Sequence, residues 1–378
     1  MMRGAVVALF AVCALLLFPI AVCAEEKTFT YTADAVSTEE DAARALENVL
    51  PDELGEMKGK WLDAIKRGAV EFDENALLGR LYASVKSELT GPLALLGALI
   101  SLVICAAVFR TLSQTVRGAG VASAFSLCSS LCFCGAVCVP VMRIAERTAE
   151  FLYWLATFIT ALVPVFSSLY VAGGSVASAA YASSGAYMLT VIIEQIFAEV
   201  LLPVCKILLA LSLTSSLSPI DLSGVIKVIK NAFSTALAFL MMLNSAIYSL
   251  GNHIAAANDG LAMRTVRFAA GSFIPVVGGA VGEAMRTVAG SLSVIKAGVG
   301  WVCCAAVIFV LLPPIVSILL YRTAIELAGA AARTCSLGTE ARLLEGAVSV
   351  CNLLAALMAA AAVLFVLGVT LFIKTAVV

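Results

Sequence analysis

From residue 91 onward the chain is a succession of long apolar runs, and this feature decides most of what it can fold into. In lipid every backbone N–H and C=O must find its partner inside the protein, so only helices and closed barrels cross a bilayer. Barrel strands are short and alternate polar with apolar positions. The runs here are continuous, which predicts helices. About eight spans are expected, near 92–109, 119–142, 151–172, 175–193, 197–217, 232–252, 300–321 and 347–373, each close to the roughly 20 residues a bilayer needs. Composition agrees: 62% of residues are hydrophobic and 13% charged, against about 25% charged in a typical soluble domain. The expected fold class is all-α, a polytopic transmembrane helical bundle.

The first 90 residues read differently. Residues 1–24 carry one charge, Arg3, then an apolar stretch and Val22-Cys23-Ala24 before Glu25. This predicts a cleavable signal peptide, with an uncleaved first helix as its rival. Residues 25–90 hold fifteen Asp and Glu against eight Lys and Arg, a net of −7, whereas residues 91–378 have a net of +5. The expectation is a small, helical, acidic ectodomain at 25–90 and a membrane domain at 91–378. The ectodomain has no Cys, and most of the chain's twelve lie in apolar runs, where Cys acts as a small hydrophobe. No basic cluster is interleaved with aromatics, so a nucleic-acid partner gains no support.

Export of residues 25–90 fixes the sidedness of every later span. The first, fifth and seventh spans then return to Arg110 and Arg117, to Lys227 and Lys230, and to Arg322, Arg333 and Arg342. These are basic cytoplasmic segments, as the positive-inside bias requires. Arg264, Arg267, Arg286 and Lys296 fall outside and oppose this topology.

Residues 254–299 are the most unusual stretch. Asn258-Asp259-Gly260 reads as a helix start, with Asp259 able to cap free N–H groups. Arg264 and Arg267 share a face. The segment from Gly271 through Pro275 to Gly278 is apolar but too short to span, as in re-entrant or broken helices. A further helix begins near Glu283. An interfacial hairpin without a transport role is the plainer alternative. Residues 219–233 form a cationic amphipathic helix, read as interfacial or as a dock. Lys206 falls inside a predicted span with Glu199 seven residues before it on roughly the same face. Ionisable groups at such depth face a bundle interior, a cavity or a partner. Asn244 is a candidate polar contact. Cys128, Cys132, Cys134 and Cys138 match no zinc-site spacing, so no metal and no cofactor is expected. There is no Walker A loop, no His-Glu-x-x-His and no Gly-x-Ser-x-Gly, so catalysis is not expected.

The run 259–268, followed by Gly271-Ser272-Phe273-Ile274-Pro275-Val276-Val277-Gly278, resembles the stage III sporulation protein AE family. The resemblance extends to the order of leader, acidic region and spans. It implies a membrane component of a secretion-like channel complex linking mother cell and forespore. It further implies a place in the mother-cell-derived outer forespore membrane, with residues 25–90 in the intermembrane space. The implied partners are other stage III sporulation proteins, including a separate ATPase and ring-forming components, and further copies of the chain. It carries over no catalytic residues. Two alternatives remain: a self-contained permease for a small solute, as broken segments and buried charges suggest, and a purely structural anchor.

Overall fold

The computed structural model describes residues 86, 88–115, 119–172, 176–181, 187–217, 222–273 and 278–374, with side chains left aside over 262–299 and at some helix ends. The expected signal peptide and nearly all of the acidic region lie outside the described residues. Among the described residues there is no strand. The helices are α1 (Thr90–Thr115), α2 (Ala119–Ala172), α3 (Val176–Tyr181), α4 (Tyr187–Ile196), a π turn (Phe197–Leu201), α5 (Leu202–Leu217), α6 (Ser223–Phe273), α7 (Gly278–Thr334) and α8 (Gly338–Lys374).

Two expected breaks are absent. The spans predicted at 119–142 and 151–172 form one helix of 54 residues, about 80 Å long at 1.5 Å per residue. Arg143, Glu146, Arg147 and Glu150 do not form a loop, because charges alone do not end a helix. The stretch 143–150 contains no Gly, Pro or Asn, and its charges sit at helix-compatible spacings of three and four. The spans expected near 175–193 and 197–217 also change. A short α3 stands apart, and the helix from Tyr187 runs through the π turn to Leu217. Pro203 accounts for the π turn. Its ring displaces the carbonyl one turn back and it has no N–H to donate. The helix absorbs this with one wider turn, in which Leu202 N–H bonds the Phe197 carbonyl. Six helices among the described residues are long and apolar enough to cross a membrane, two fewer than expected.

The cationic segment expected as a separate interfacial helix is the first part of α6 and continuous with the span after it. Likewise Asn258-Asp259-Gly260 lies inside α6 and starts no helix. A helix-start residue works only where free N–H groups await it, and here the backbone is already helical on both sides.

Cross-helix polar contacts set the ends of the bundle. The Arg110 guanidinium donates to the Ser336 carbonyl, which ties the end of α1 to the turn between α7 and α8. Ser129 on α2 donates to the buried Glu340 at the start of α8, 3.1 Å away. At the opposite end of α1, Arg147 pairs with Glu88 at 2.7 Å. Glu88 and Arg110 lie about 33 Å apart along a helix, close to the hydrocarbon thickness of roughly 30 Å.

The turn between α7 and α8 obeys backbone chemistry. Ser336 has φ 59°. Leu337 N–H bonds the Ala332 carbonyl at 2.9 Å and Ser336 N–H that of Arg333 at 3.0 Å, the paired bonds of a Schellman ending. Leu337 is buried, so the turn is pinned on its apolar side as well. α8 then runs up the middle of the bundle, with Leu343, Leu344, Leu354, Leu357 and Leu364 fully buried.

Candidate functional site

α6 attaches to the bundle by a narrow stripe. Among its described residues the buried ones are Phe233, Leu237, Asn244, Tyr248 and Ala255, with Asp259 half-buried. Pairs four apart recur every eleven residues, at 233/237, 244/248 and 255/259. Eleven residues make three turns of a nearly straight helix, so such a stripe stays on one side. The opposite face exposes Val228, Phe239, Met242, Leu250 and Ile254.

The middle pair of this stripe meets α4 in a polar seam. The Thr190 hydroxyl donates to Asn244 Oδ1 at 3.3 Å and shares a 2.6 Å hydrogen bond with the Tyr248 hydroxyl. A hydroxyl has one proton, so with Thr190 donating to Asn244 the Tyr248 hydroxyl donates to Thr190. One turn along α4, Glu194 is wholly buried. Neither of its carboxyl oxygens has a hydrogen-bond partner among the described residues, and neither has Asn244 Nδ2. A cavity of about 10 Å³ beside the seam is lined by Phe166, Tyr187, Thr190 and Tyr248 among others. That is about the room one water molecule needs.

The outer pair holds α3. The Asp259 carboxylate accepts N–H bonds from Ala177 at 2.8 Å and Ser178 at 2.9 Å, and the Ser178 hydroxyl at 2.6 Å. These amides lie in the first turn of α3, whose free N–H groups and positive helix end suit a carboxylate. Asp259 therefore caps a helix, but a distant one. Tyr181, at the other end of α3, donates to the Ile247 carbonyl of α6 at 2.6 Å. Its ring lies where a side chain on Gly251 would stand. Burial raises the Tyr181 phenol above its ordinary range.

The remaining candidates are scattered. Glu199 is exposed in the π turn and Lys206 is half-buried on α5; among the described residues no ion pair joins them. Gly278 is the first residue of α7. Arg264, Arg267 and Glu283 lie on helical backbone with their side chains outside the described set, and Pro275 lies outside it altogether. On α2, Cys128 and Cys132 are exposed and Cys134 and Cys138 half-buried, all free. Among the described residues no three His, Cys, Asp or Glu side chains gather to hold a metal. The sequence reading missed Glu194 by placing it between two spans. Its signal was an acid one turn from Thr190 in an apolar run with no Gly or Pro between Tyr187 and Leu202.

These features define a polytopic α-helical membrane protein built round one central helix, with a polar seam and no catalytic constellation among the described residues. The family emerges from comparison. Residues 57–376 match the model of Stage III sporulation protein AE, and the chain belongs to that family. It is 25% identical over 292 residues to Stage III sporulation protein AE of Bacillus subtilis (strain 168), covering 75% of this chain and 73% of that protein. No solved structure matches. Membership assigns the chain a role in sporulation.

Proposed function

We propose that this protein is an integral membrane component of a channel complex linking mother cell and forespore, working by assembly and by lining part of a conduit. The family match over 57–376, which takes in nearly all of the membrane domain, carries the reading. Energy comes from a separate ATPase, and ring-forming sporulation proteins and further copies of the chain complete the assembly. No catalysis is assigned to this chain. It sits in the mother-cell-derived outer forespore membrane, with residues 25–90 in the intermembrane space. Asp259, Arg264, Arg267, Pro275, Gly278 and Glu283 belong to a region that faces partners there; Asn244 serves the bundle, and Glu199 and Lys206 are intramembrane polar groups open to a partner.

The contacts support this orientation. Fusing two pairs of expected spans removes two crossings, so every segment beyond residue 217 keeps its side. The bond from Arg110 to Ser336 gathers two of the three basic segments at one end of the bundle, as a shared cytoplasmic face requires.

Deletion of the gene in its sporulating host tests the function. Late forespore gene expression should fail while engulfment proceeds; normal spores would refute the reading. Single-Cys labelling tests the orientation, with residues 60, 262 and 290 accessible from outside and 225 and 335 protected. The buried seam favours one rival, a self-contained permease. Solute flux through the purified protein in liposomes, without partners, would establish that instead.

A further inference from the structure

We propose that Glu194, set beside Thr190, Asn244 and Tyr248, is a proton-binding site: its carboxyl holds a proton while α4 and α6 are packed and releases it when the seam between them opens to water.

Few things can neutralise this group. Glu194 is 0% exposed, and its two oxygens lack hydrogen-bond donors among the described residues. A bare carboxylate so placed is among the costliest states a protein interior can hold. Among the described residues no charged side chain pairs with this carboxyl. The titratable group across the seam on α6 is the Tyr248 phenol, bonded to Thr190 at 2.6 Å. Tyr170 of α2, Tyr181 of α3 and Cys303 of α7 gather round Tyr187, two turns back along α4. α8 presents Phe365 and Val369 to the cavity beside the seam. None of these supplies positive charge. A lysine or arginine from a partner cannot reach a fully enclosed side chain. A metal would need several ligands, and no three His, Cys, Asp or Glu gather among the described residues. Among the described residues nothing else offers neutralisation, and the proton remains, the one partner that takes no room.

Two further observations make the site exchangeable. The apolar stretch of α6 is the least buried of the six, and it meets α4 along its narrow stripe, so little packing has to be undone to open the seam. Glu194 also lies three residues before the π turn. Conversion of one π turn to α geometry shifts the register by one residue, a rotation of about 100°. That would swing the carboxyl out of the seam. The proton comes from water and returns to water.

The test uses the full chain in lipid nanodiscs and dicyclohexylcarbodiimide, an apolar reagent that adds to protonated carboxyls in apolar surroundings. Peptide mass spectrometry should find the adduct on Glu194, falling as pH rises and absent in Glu194→Gln. Exposed Glu345, ion-paired with Arg333, serves as the internal reference. Labelling of Glu194 no stronger than that of Glu345 would overturn the proposal. The thermal midpoint gives a second readout. A carboxyl protonated in the fold and ionised when unfolded makes the folded state bind more protons, so stability drops with rising pH. The wild-type midpoint should therefore fall relative to Glu194→Gln as pH rises. Parallel profiles would overturn the site equally. Both measurements use the purified protein alone, so they stand or fall apart from the sporulation reading.

Discussion

α8 and α6 are both apolar enough to span a bilayer, yet the bundle treats them oppositely. The apolar stretch of α8 has a mean hydropathy of 2.6 and 56% of it is buried; that of α6 has a mean hydropathy of 1.5 and 11% is buried. In water such a difference would need no comment. In lipid it does, because the surroundings are as apolar as the core, and helices associate through close packing and hydrogen bonds. α8 offers small residues among large ones, with Ala347, Ala361 and Leu357 all fully buried. Neighbours pack against most of its circumference and leave one exposed stripe through Val363 and Leu367. α6 offers one stripe, and polar groups occupy its decisive positions. The first helix is held by shape, the second by a few directional contacts. A functional opening would therefore take place at α6.

The largest expected effect sets the two helices against each other with one type of deletion. Leu357→Ala removes a fully buried side chain from α8 and should cost about 2–5 kcal/mol. Met242→Ala removes a large side chain from α6 that is 73% exposed and should change stability by less than about 0.5 kcal/mol. Thermal midpoints in one detergent compare them directly. Equal losses would mean that the outer face of α6 is packed in the working protein, and the contrast would fail.

The attachment of α6 can be tested at its close approach to α3. Gly251→Ala places a methyl group where the Tyr181 ring lies. Overpacking of this kind costs about 1–3 kcal/mol. The hydrogen bond from Tyr181 to the Ile247 carbonyl should be lost with it. A smaller loss is expected from Asp259→Ala, about 0.5–2 kcal/mol, the range for removing a helix cap. Its effect should be local: amide hydrogens of 176–181 should exchange faster while those of α8 stay protected. Acceleration along α8 would show that the two helices are not independent.

How much of the fold is legible in the sequence depends on what each residue has to find. The membrane class is readable because long apolar runs leave a chain no soluble alternative. The break expected at 143–150 is absent because a charged stretch interrupts hydropathy without interrupting backbone hydrogen bonds. Asn244 is recognisable as an amide inside an apolar span. Its partner Thr190 lies 54 residues away, a pairing no local pattern shows. Asp259 has the side chain of a cap, but the amides it caps lie 81 and 82 residues back. Glu194 is hidden by the same error that splits its helix. A residue assigned to a loop is not asked what neutralises it.

The smallest expected effect concerns how α8 is fixed at its start, where α6 has no equivalent device among the described residues. Ser336 adopts the left-handed conformation that a side chain disfavours and glycine accepts freely. Ser336→Gly should relieve about 1 kcal/mol of backbone strain. Part of this is offset, because glycine also gives the unfolded chain more freedom to lose. The expected net is a stabilisation of up to about 0.5 kcal/mol. The carbonyl that accepts from Arg110 belongs to the backbone, so the substitution leaves that tie in place. A rise in thermal midpoint without change in the accessibility of residue 335 would show that the turn is strained by its side chain alone. A fall would mean that the Ser336 side chain holds the turn, and that α8 depends on a polar contact much as α6 does.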